Sequence, residues 1–356
     1  MNKKFWNKKK VFLTGHTGFK GSWLSLWLQK LNAEVIGFSK DIPTNPSLFE
    51  LANIEDGMNS IIGNICDYNK LEKSIKEHQP EIVIHMAAQA ILRESYNNPI
   101  ETYATNVMGT VNLLETIRKI GSVKVILNVT TDKCYEPNKS SEGYVETDRL
   151  GGYDPYSNSK ACSELLTSSF RNSFFNPKEH HKHGISLASC RAGNVIGGGD
   201  WGKDRLIPDI MRGILNNEII RIRNPSSTRP WQYVLDPLNG YLTLAEKLWS
   251  FGSKFSEGWN FGPQEKNEKS VKWIVEKLTY QWSKNIKWDI DNSVNPHEEN
   301  YLRLNCKKAN SKLGWMPKLN LEQGLEWTIK WYKEYQQNNN MKEITEHQIE
   351  EFQNLP

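Results

Sequence analysis

A doubly wound α/β fold, an open parallel sheet with helices on both faces and a smaller mixed α/β part appended, is the class this sequence predicts. Three observations predict it. Strand-like apolar runs alternate with helix-period segments through the first half of the chain. A glycine-punctuated turn, Thr14-Gly15-His16-Thr17-Gly18-Phe19-Lys20-Gly21, joins the first such strand to the first such helix. A reactive cluster, Thr130-Thr131-Asp132-Lys133, stands at the end of the apolar run 123–129. Ligands of open parallel sheets sit at the carboxyl ends of strands.

Taken in order, strands are expected at 11–14, 34–38, 60–62, 81–86, 124–129 and 185–190. The glycine turn opens a helical pattern carried by Trp23, Leu24, Leu26, Trp27, Leu28 and Leu31, which reads as amphipathic. Further helices are expected over 68–78, 100–120 and 156–175; Asp154 can cap the last, and Pro155 suits its first turn. After Arg191 the pattern changes. Gly193, Gly197, Gly198, Gly199 and Gly202 surround Asp200-Trp201, and short elements follow. The expected organisation is a Rossmann-type domain over 1–190 and a mainly substrate-binding domain over 191–335, with some segments returning to the sheet. A polar tail follows over 336–356, where Ile344, Ile349 and Phe352 either dock weakly or leave it loose.

Composition narrows the function. The chain has 356 residues, 38% of them hydrophobic, enough for a sizeable core. A net charge of +4 is small and spread out, so Lys8-Lys9-Lys10 reads as a solvated lead-in rather than a nucleic-acid patch. No apolar run approaches the ~20 residues of a membrane span, and no signal-peptide pattern is present. Five scattered cysteines (Cys66, Cys134, Cys162, Cys190, Cys306) form no Cys-x-x-Cys pair, which points to a reducing cytoplasm and away from disulfides or structural zinc. His180, His181 and His183 read as a solvated loop and not a metal site; no metal is expected.

The motifs carry chemistry when taken together. Gly15, Gly18 and Gly21, after a strand and at a helix start, make a cradle for a dinucleotide pyrophosphate, with helix amides as donors. A plain tight turn would use glycine in the same way; the strand-to-helix setting favours the cradle. Tyr156 and Lys160 are four apart and share a helix face. A phenol ionises near pH ~10, and a cation beside it favours the phenolate, which makes a base for an alcohol. Thr131, Asp132 and Lys133 by themselves could be a capped turn with a surface ion pair; beside the other two motifs they read as an active site.

With those residues in hand, the chain resembles the extended short-chain dehydrogenase/reductase superfamily, and within it the nucleotide-sugar 4,6-dehydratases. The resemblance runs to about residue 335. Its specific stretches are 46–50 (Pro-Ser-Leu-Phe-Glu), 131–135 (Thr-Asp-Lys-Cys-Tyr), 151–156 (Gly-Gly-Tyr-Asp-Pro-Tyr) and 191–201 (Arg-Ala-Gly-Asn-Val-Ile-Gly-Gly-Gly-Asp-Trp). The resemblance implies NAD, retained and recycled, and CDP-glucose as substrate. Tyr156 would deprotonate the C4 hydroxyl, Thr131 would hold the C4 oxygen, and Lys160 would lower the Tyr156 pKa and hold the nicotinamide ribose. Asp132 would protonate the C6 leaving group. Lys133, where dTDP-sugar relatives place glutamate, would be the C5 base; its other reading is a partner ion for Asp132. Gly15, Thr17, Gly18, Phe19, Gly21, Ser39, Asn64, Ala87, Ala88, Gln89 and Asn106 would line the cofactor. Asn194, Arg205 and Arg229 would bind the nucleotide-sugar, arginine suiting a pyrophosphate. The resemblance further implies a homodimer or dimer of dimers and a role in 3,6-dideoxyhexose supply for lipopolysaccharide O-antigen.

Two departures stand out. NAD sites usually carry an acidic residue at the end of the second strand. Ser39 and Lys40 stand there, so NADP is the alternative cofactor. The late paired arginines of dTDP-sugar relatives are replaced by Glu298-Glu299-Asn300-Tyr301. Competing functions are a UDP-hexose 4-epimerase, which needs no dehydrating acid–base pair, and a non-catalytic NAD(P) sensor, which needs no Tyr156–Lys160 pair.

Overall fold

The structure is a computed structural model describing residues 2–137, 142–264, 268–283, 286–291 and 303–356. Seven parallel strands form one sheet: β1 (Lys10–Thr14), β2 (Glu34–Ser39), β3 (Asn59–Ile62), β4 (Ile82–His85), β5 (Val125–Val129), β6 (Ser186–Ala192) and β7 (Gly258–Phe261). Their spatial order is β3-β2-β1-β4-β5-β6-β7. All six strands expected from the sequence are present, with ends shifted by a residue or two. The seventh returns from the second half of the chain to pair with β6. Strand order reverses between β1 and β4, which opens a crevice at their carboxyl ends, as in Rossmann-type sheets.

The central strands are buried on both faces, so they read as continuous apolar runs. Side chains alternate between two cores. Leu13, Ile84 and Leu127 point into one; Phe12, Val83 and Ile126 point into the other.

Helix α1 (Phe19–Lys30) departs from the amphipathic reading: every residue from Gly21 to Leu28 is buried. The covering element is α2 (Met341–Asn354), within the segment read as a polar tail. Its Ile349 and Phe352 are fully buried, and Phe352 meets the Trp27 ring edge-on at 5.7 Å. Tyr233 donates to Gln348 at 2.6 Å, Trp331 donates to Thr345 at 3.0 Å, and Lys30 pairs with Glu350 at 2.6 Å. The docked face of α2 is narrow and its outer face polar, so the composition of the segment resembles that of a loose tail.

The second half adds three two-stranded ladders and several helices. One tie there is unusual. Asp236, in the first turn of the helix Leu235–Phe251, accepts the Lys318 backbone N–H at 2.6 Å, while Trp315 donates to its carbonyl at 3.1 Å. Its Oδ2 is buried without a hydrogen-bond partner. Burial pushes this carboxyl up to about 7, against the pull of the Lys318 and Leu319 N–H groups. Folded protein therefore favours the protonated acid. The stability this contributes is complete below about pH 4 and declines as pH rises from there through 7. Asp236→Asn is expected to raise the melting temperature at pH 8 by a few degrees more than at pH 5; an equal effect at both pH values rules out the linkage.

Candidate active site

The glycine turn leaves β1 and enters α1. Gly15 has φ +77°, in the left-handed region, and a Cβ there would lie 2.7 Å from the Ala87 backbone nitrogen. A Cβ on Gly21 would lie 2.0 Å from the Gly15 carbonyl oxygen, so helix and turn touch only because both are glycine. Gly18 is the N-cap of α1 and brings no side chain to the first-turn amides, leaving donors free for an anion. Ala87 follows β4, and its N–H bonds Thr14 Oγ1 at 3.1 Å. Strand ends and open amides of this kind fit a dinucleotide.

The reactive cluster sits at the end of β5. Thr131 Oγ1 donates to Asp132 Oδ1 at 3.0 Å and accepts from the Lys133 N–H at 3.4 Å. Asp132 Oδ2 is buried with no hydrogen-bond partner. Burial pushes the Asp132 carboxyl up; the Lys133 charge, the Thr131 bond and the Arg229 charge pull against it. Among the described residues no ion pair joins Asp132 to Lys133. Gly193 faces the open oxygen: a Cβ there would stand 2.8 Å from Oδ2.

Tyr156 and Lys160 lie on α3 (Pro155–Ser173), capped by Asp154, which accepts the Ser157 N–H at 2.8 Å as the sequence indicates. The Tyr156 N–H donates to Ser95 Oγ at 3.1 Å. Burial pushes the phenol up to about 12, while Thr131 and the Arg205 charge favour its phenolate. Lys160 directs its ammonium to the Val129 carbonyl at 3.3 Å, and burial together with the Lys20 charge brings it down to about 8.

One helical turn further, Glu164 accepts bonds from Thr130 (2.5 Å), Ser189 (2.7 Å) and Arg191 (2.8 Å). Asn106 lies in a π-helical turn, Ala104–Met108, and is buried. It accepts the Gln89 N–H at 2.9 Å and donates to the Gln89 carbonyl at 3.0 Å and Ser159 Oγ at 2.9 Å. These bonds brace the segment Ala87–Ala88–Gln89 against α3.

Other expected residues fall around this centre. The Thr17 N–H reaches Ser39 Oγ at 3.3 Å, and Ser39 also bonds His16 at 2.8 Å. Lys40 pairs with Glu101 at 2.7 Å. Asn64 is exposed, and its side chain accepts the Cys66 N–H at 2.9 Å. Phe19 lies against Gly197. Asn194 follows β6 beside Gly193, and its carbonyl accepts the Gln232 N–H at 3.0 Å. Arg229 is buried, and its charge acts on Asp132. Arg205 pairs with Asp200 at 3.1 Å, and its charge acts on Tyr156. The stretch 298–301 lies outside the described residues. His180 bonds Ser186 Oγ at 3.1 Å, and His183 bonds the Asn176 carbonyl at 3.0 Å.

Residues 12–328 match the GDP-mannose 4,6 dehydratase family. The chain is 54% identical to the CDP-glucose 4,6-dehydratase of Salmonella typhimurium, over 99% of this chain and 98% of that one. The chain belongs to the GDP-mannose 4,6 dehydratase family. A dTDP-glucose 4,6-dehydratase of Haemophilus influenzae is 26% identical, over 90% of this chain and 97% of its own. The solved dTDP-glucose 4,6-dehydratase of Bacillus anthracis, in complex with NAD, superposes with TM-score 0.75 at 25% identity and covers 92% of this chain and 98% of that one.

Two groups in this family member escaped the sequence reading. Lys20 is brought down to about 8 by burial and by the Arg205 charge, with the Asp132 charge opposing. Its signal was available: a cation in the first turn of a helix opposes the helix dipole. Glu164 is four residues beyond Lys160 on the same face, but its partners Thr130, Ser189 and Arg191 are distant in sequence. Removing one partner of a buried ion pair leaves a bare charge, at a cost of ~3–5 kcal/mol. Glu164→Gln is expected to destabilise the fold by ~3 kcal/mol in urea titration; a loss under ~1 kcal/mol contradicts a structural role for the pair.

Proposed function

We propose that this chain removes water from CDP-D-glucose to give CDP-4-keto-6-deoxy-D-glucose, as a hydro-lyase with retained NAD. The observation that carries the dehydration is Asp132, a buried carboxyl with one unpartnered oxygen next to Lys133. The choice of CDP-glucose is supported by the 54% identity to the Salmonella typhimurium enzyme over nearly the whole of both chains.

Gly15, Thr17, Gly18, Phe19 and Gly21 hold the pyrophosphate of NAD, and Ala87, Ala88 and Gln89 line its inner half. Ser39 is tied to His16 and Lys40 to Glu101, an arrangement that suits a ribose hydroxyl better than a 2′-phosphate. When bound, NAD supplies a hydride acceptor at C4 and a donor at C6, so no net reductant is consumed. Thr131 holds the C4 oxygen and Tyr156 removes its proton. Lys160, which directs its ammonium to the Val129 carbonyl, favours the Tyr156 phenolate and would hold the nicotinamide ribose. The resulting 4-ketone makes the C5 hydrogen acidic, because its carbanion is an enolate. Lys133 takes that proton, and Asp132 gives its own to the departing C6 hydroxyl. Lys133 then returns a proton to C5. Asn194, Arg205 and Arg229 bind the nucleotide-sugar. Residues 1–190 form mainly the cofactor part and 191–335 mainly the substrate part.

Substrate deuterated at C4 is expected to yield product labelled at C6, measured by mass spectrometry. Asp132→Asn and Lys133→Met are each expected to slow water loss at least ~100-fold while the 4-keto hexose still forms. Borodeuteride trapping detects that ketone; its disappearance in both variants refutes the assigned roles.

A homodimer is part of this reading. The helical segments 99–119 and 155–173 pack together and expose Ile100 (85%), Met108 (53%) and Leu165 (56%), an apolar face that a second copy would cover. Light scattering is expected to give twice the chain mass, and Met108→Glu with Leu165→Glu half that value; a monomeric parent chain excludes the arrangement. No helix among the described residues is long and apolar enough to cross a membrane, and all five cysteines are free thiols. Both suit the cytoplasm, with the product serving 3,6-dideoxyhexose supply for surface polysaccharide.

A further inference from the structure

Arg93, Asp204 and Arg223 form a salt-bridged trio outside every motif considered so far. Arg93 Nη1 lies 3.5 Å from Asp204 Oδ1, and Arg223 Nη1 lies 2.9 Å from the same oxygen. The trio joins distant parts of the chain at the edge of the active site. Arg93 stands on the short helix Leu92–Asn97, whose Ser95 accepts the Tyr156 backbone N–H. Arg223 follows the strand Ile220–Ile222, and the chain runs on from it to Arg229, whose charge acts on Asp132. Asp204 immediately precedes Arg205, whose charge acts on Tyr156.

Asp200 and Asp204 both pair with arginines here, and they differ. Asp200 is buried and fixed: it accepts the Gly202 N–H at 3.1 Å as well as Arg205, and its carbonyl accepts the Tyr332 hydroxyl. Asp204 is 38% exposed at its side chain and sits at φ +60°, a left-handed conformation unfavourable for a residue bearing Cβ. Ion pairs this solvated are weak. A diphosphate offers more charge and several oxygens in the geometry guanidinium groups accept in pairs. It therefore competes well with the half-solvated Asp204 carboxylate for both arginines.

We propose that Arg93 and Arg223 bind the diphosphate of the nucleotide-sugar, and that Asp204 is their exchangeable counter-ion, displaced when the diphosphate arrives. This rests on the nucleotide-sugar reading of the site and extends it to residues from both sides of the cleft. Arg93 comes from beside the cofactor-lining segment and Arg223 from the substrate part, so one anion links the two. Asp204 prevents the paired arginines from repelling each other before substrate enters.

The sign of the Asp204 effect separates this role from a structural brace. Calorimetric titration of the full chain with CDP and with cytidine is the test, with melting curves for each variant as the folding control. Arg93→Gln and Arg223→Gln are each expected to weaken CDP about tenfold and to leave cytidine unchanged. Asp204→Asn is expected to tighten CDP roughly threefold or more, since asparagine keeps the left-handed backbone while the competing charge is gone. If Asp204→Asn weakens CDP, or if the arginine variants weaken cytidine equally, the trio is a brace and the inference falls. If the parent chain binds neither CDP, UDP nor dTDP, the nucleotide-sugar reading falls first and takes this inference with it.

Discussion

The Glu164–Arg191 ion pair is the tie on which the active site depends. It joins α3, which carries Tyr156 and Lys160, to the ends of β5 and β6 through Thr130, Ser189 and Arg191. Arg191 extends the tie to Tyr135 at 2.8 Å and to the Glu146 carbonyl at 3.0 Å, and Tyr135 donates to Asn260 on β7 at 2.6 Å. Taking both charges out of water costs several kcal/mol each, so Coulomb attraction alone would not justify burying them. What offsets the cost is saturation: both carboxylate oxygens of Glu164 are bonded. Burial would raise the Glu164 carboxyl, yet Arg191 and the two hydroxyls hold it below the ordinary range. The pair fixes the register of a helix against two strand ends, and the candidate cluster Thr131-Asp132-Lys133 begins at the next residue along from Thr130.

The same dryness sets the chemistry around it. Burial drives every ionisable group towards its neutral form. Asp132 rises, Lys20 and Lys160 fall to about 8, and Tyr156 rises to about 12. In the proposed complex a diphosphate adds anion among the arginines, and a dinucleotide adds its own charges at the glycine turn. Each arrival alters which neighbours are ionised. Asp132 gains most from this setting, because burial favours its protonated form over the carboxylate, and only that form can donate a proton.

Much of the fold was legible because its signals are local. Strand runs, the glycine turn and the Asp154-Pro155 helix start each lie within a few residues, and each appears where its pattern stands. β7 was not legible: Gly258–Phe261 is only four residues long and becomes a strand by pairing with the edge that β6 offers. The helix Met341–Asn354 was not legible for a related reason. Its polar surface outweighs its few apolar contacts, and the all-round burial of α1 that it completes is a property of two distant segments. Within the site, side chains on one helix face or one strand end could be brought together on paper. Lys20 beside Asp132, Gly193 beside Asp132 and Arg93 beside Asp204 could not, since each pair meets only through the winding of the sheet.

The arrangement at Asp132 also bears on why this site eliminates water rather than only inverting a hydroxyl. Oxidation at C4 and its reversal need a base, a hydroxyl anchor and a fixed lysine, the roles proposed above for Tyr156, Thr131 and Lys160. None of these requires a buried acid. Keeping an unpartnered carboxyl oxygen in a dry pocket is costly, and the fold forgoes a side chain at Gly193 to leave that oxygen open. An apolar residue at 132 would remove the cost, and an ion pair with Lys133 would reduce it. Neither is present among the described residues. The cost is sensible if the oxygen's partner is a group on the substrate, and a departing hydroxyl two carbons from the oxidised centre is the group that a proton donor placed next to Thr131 can serve.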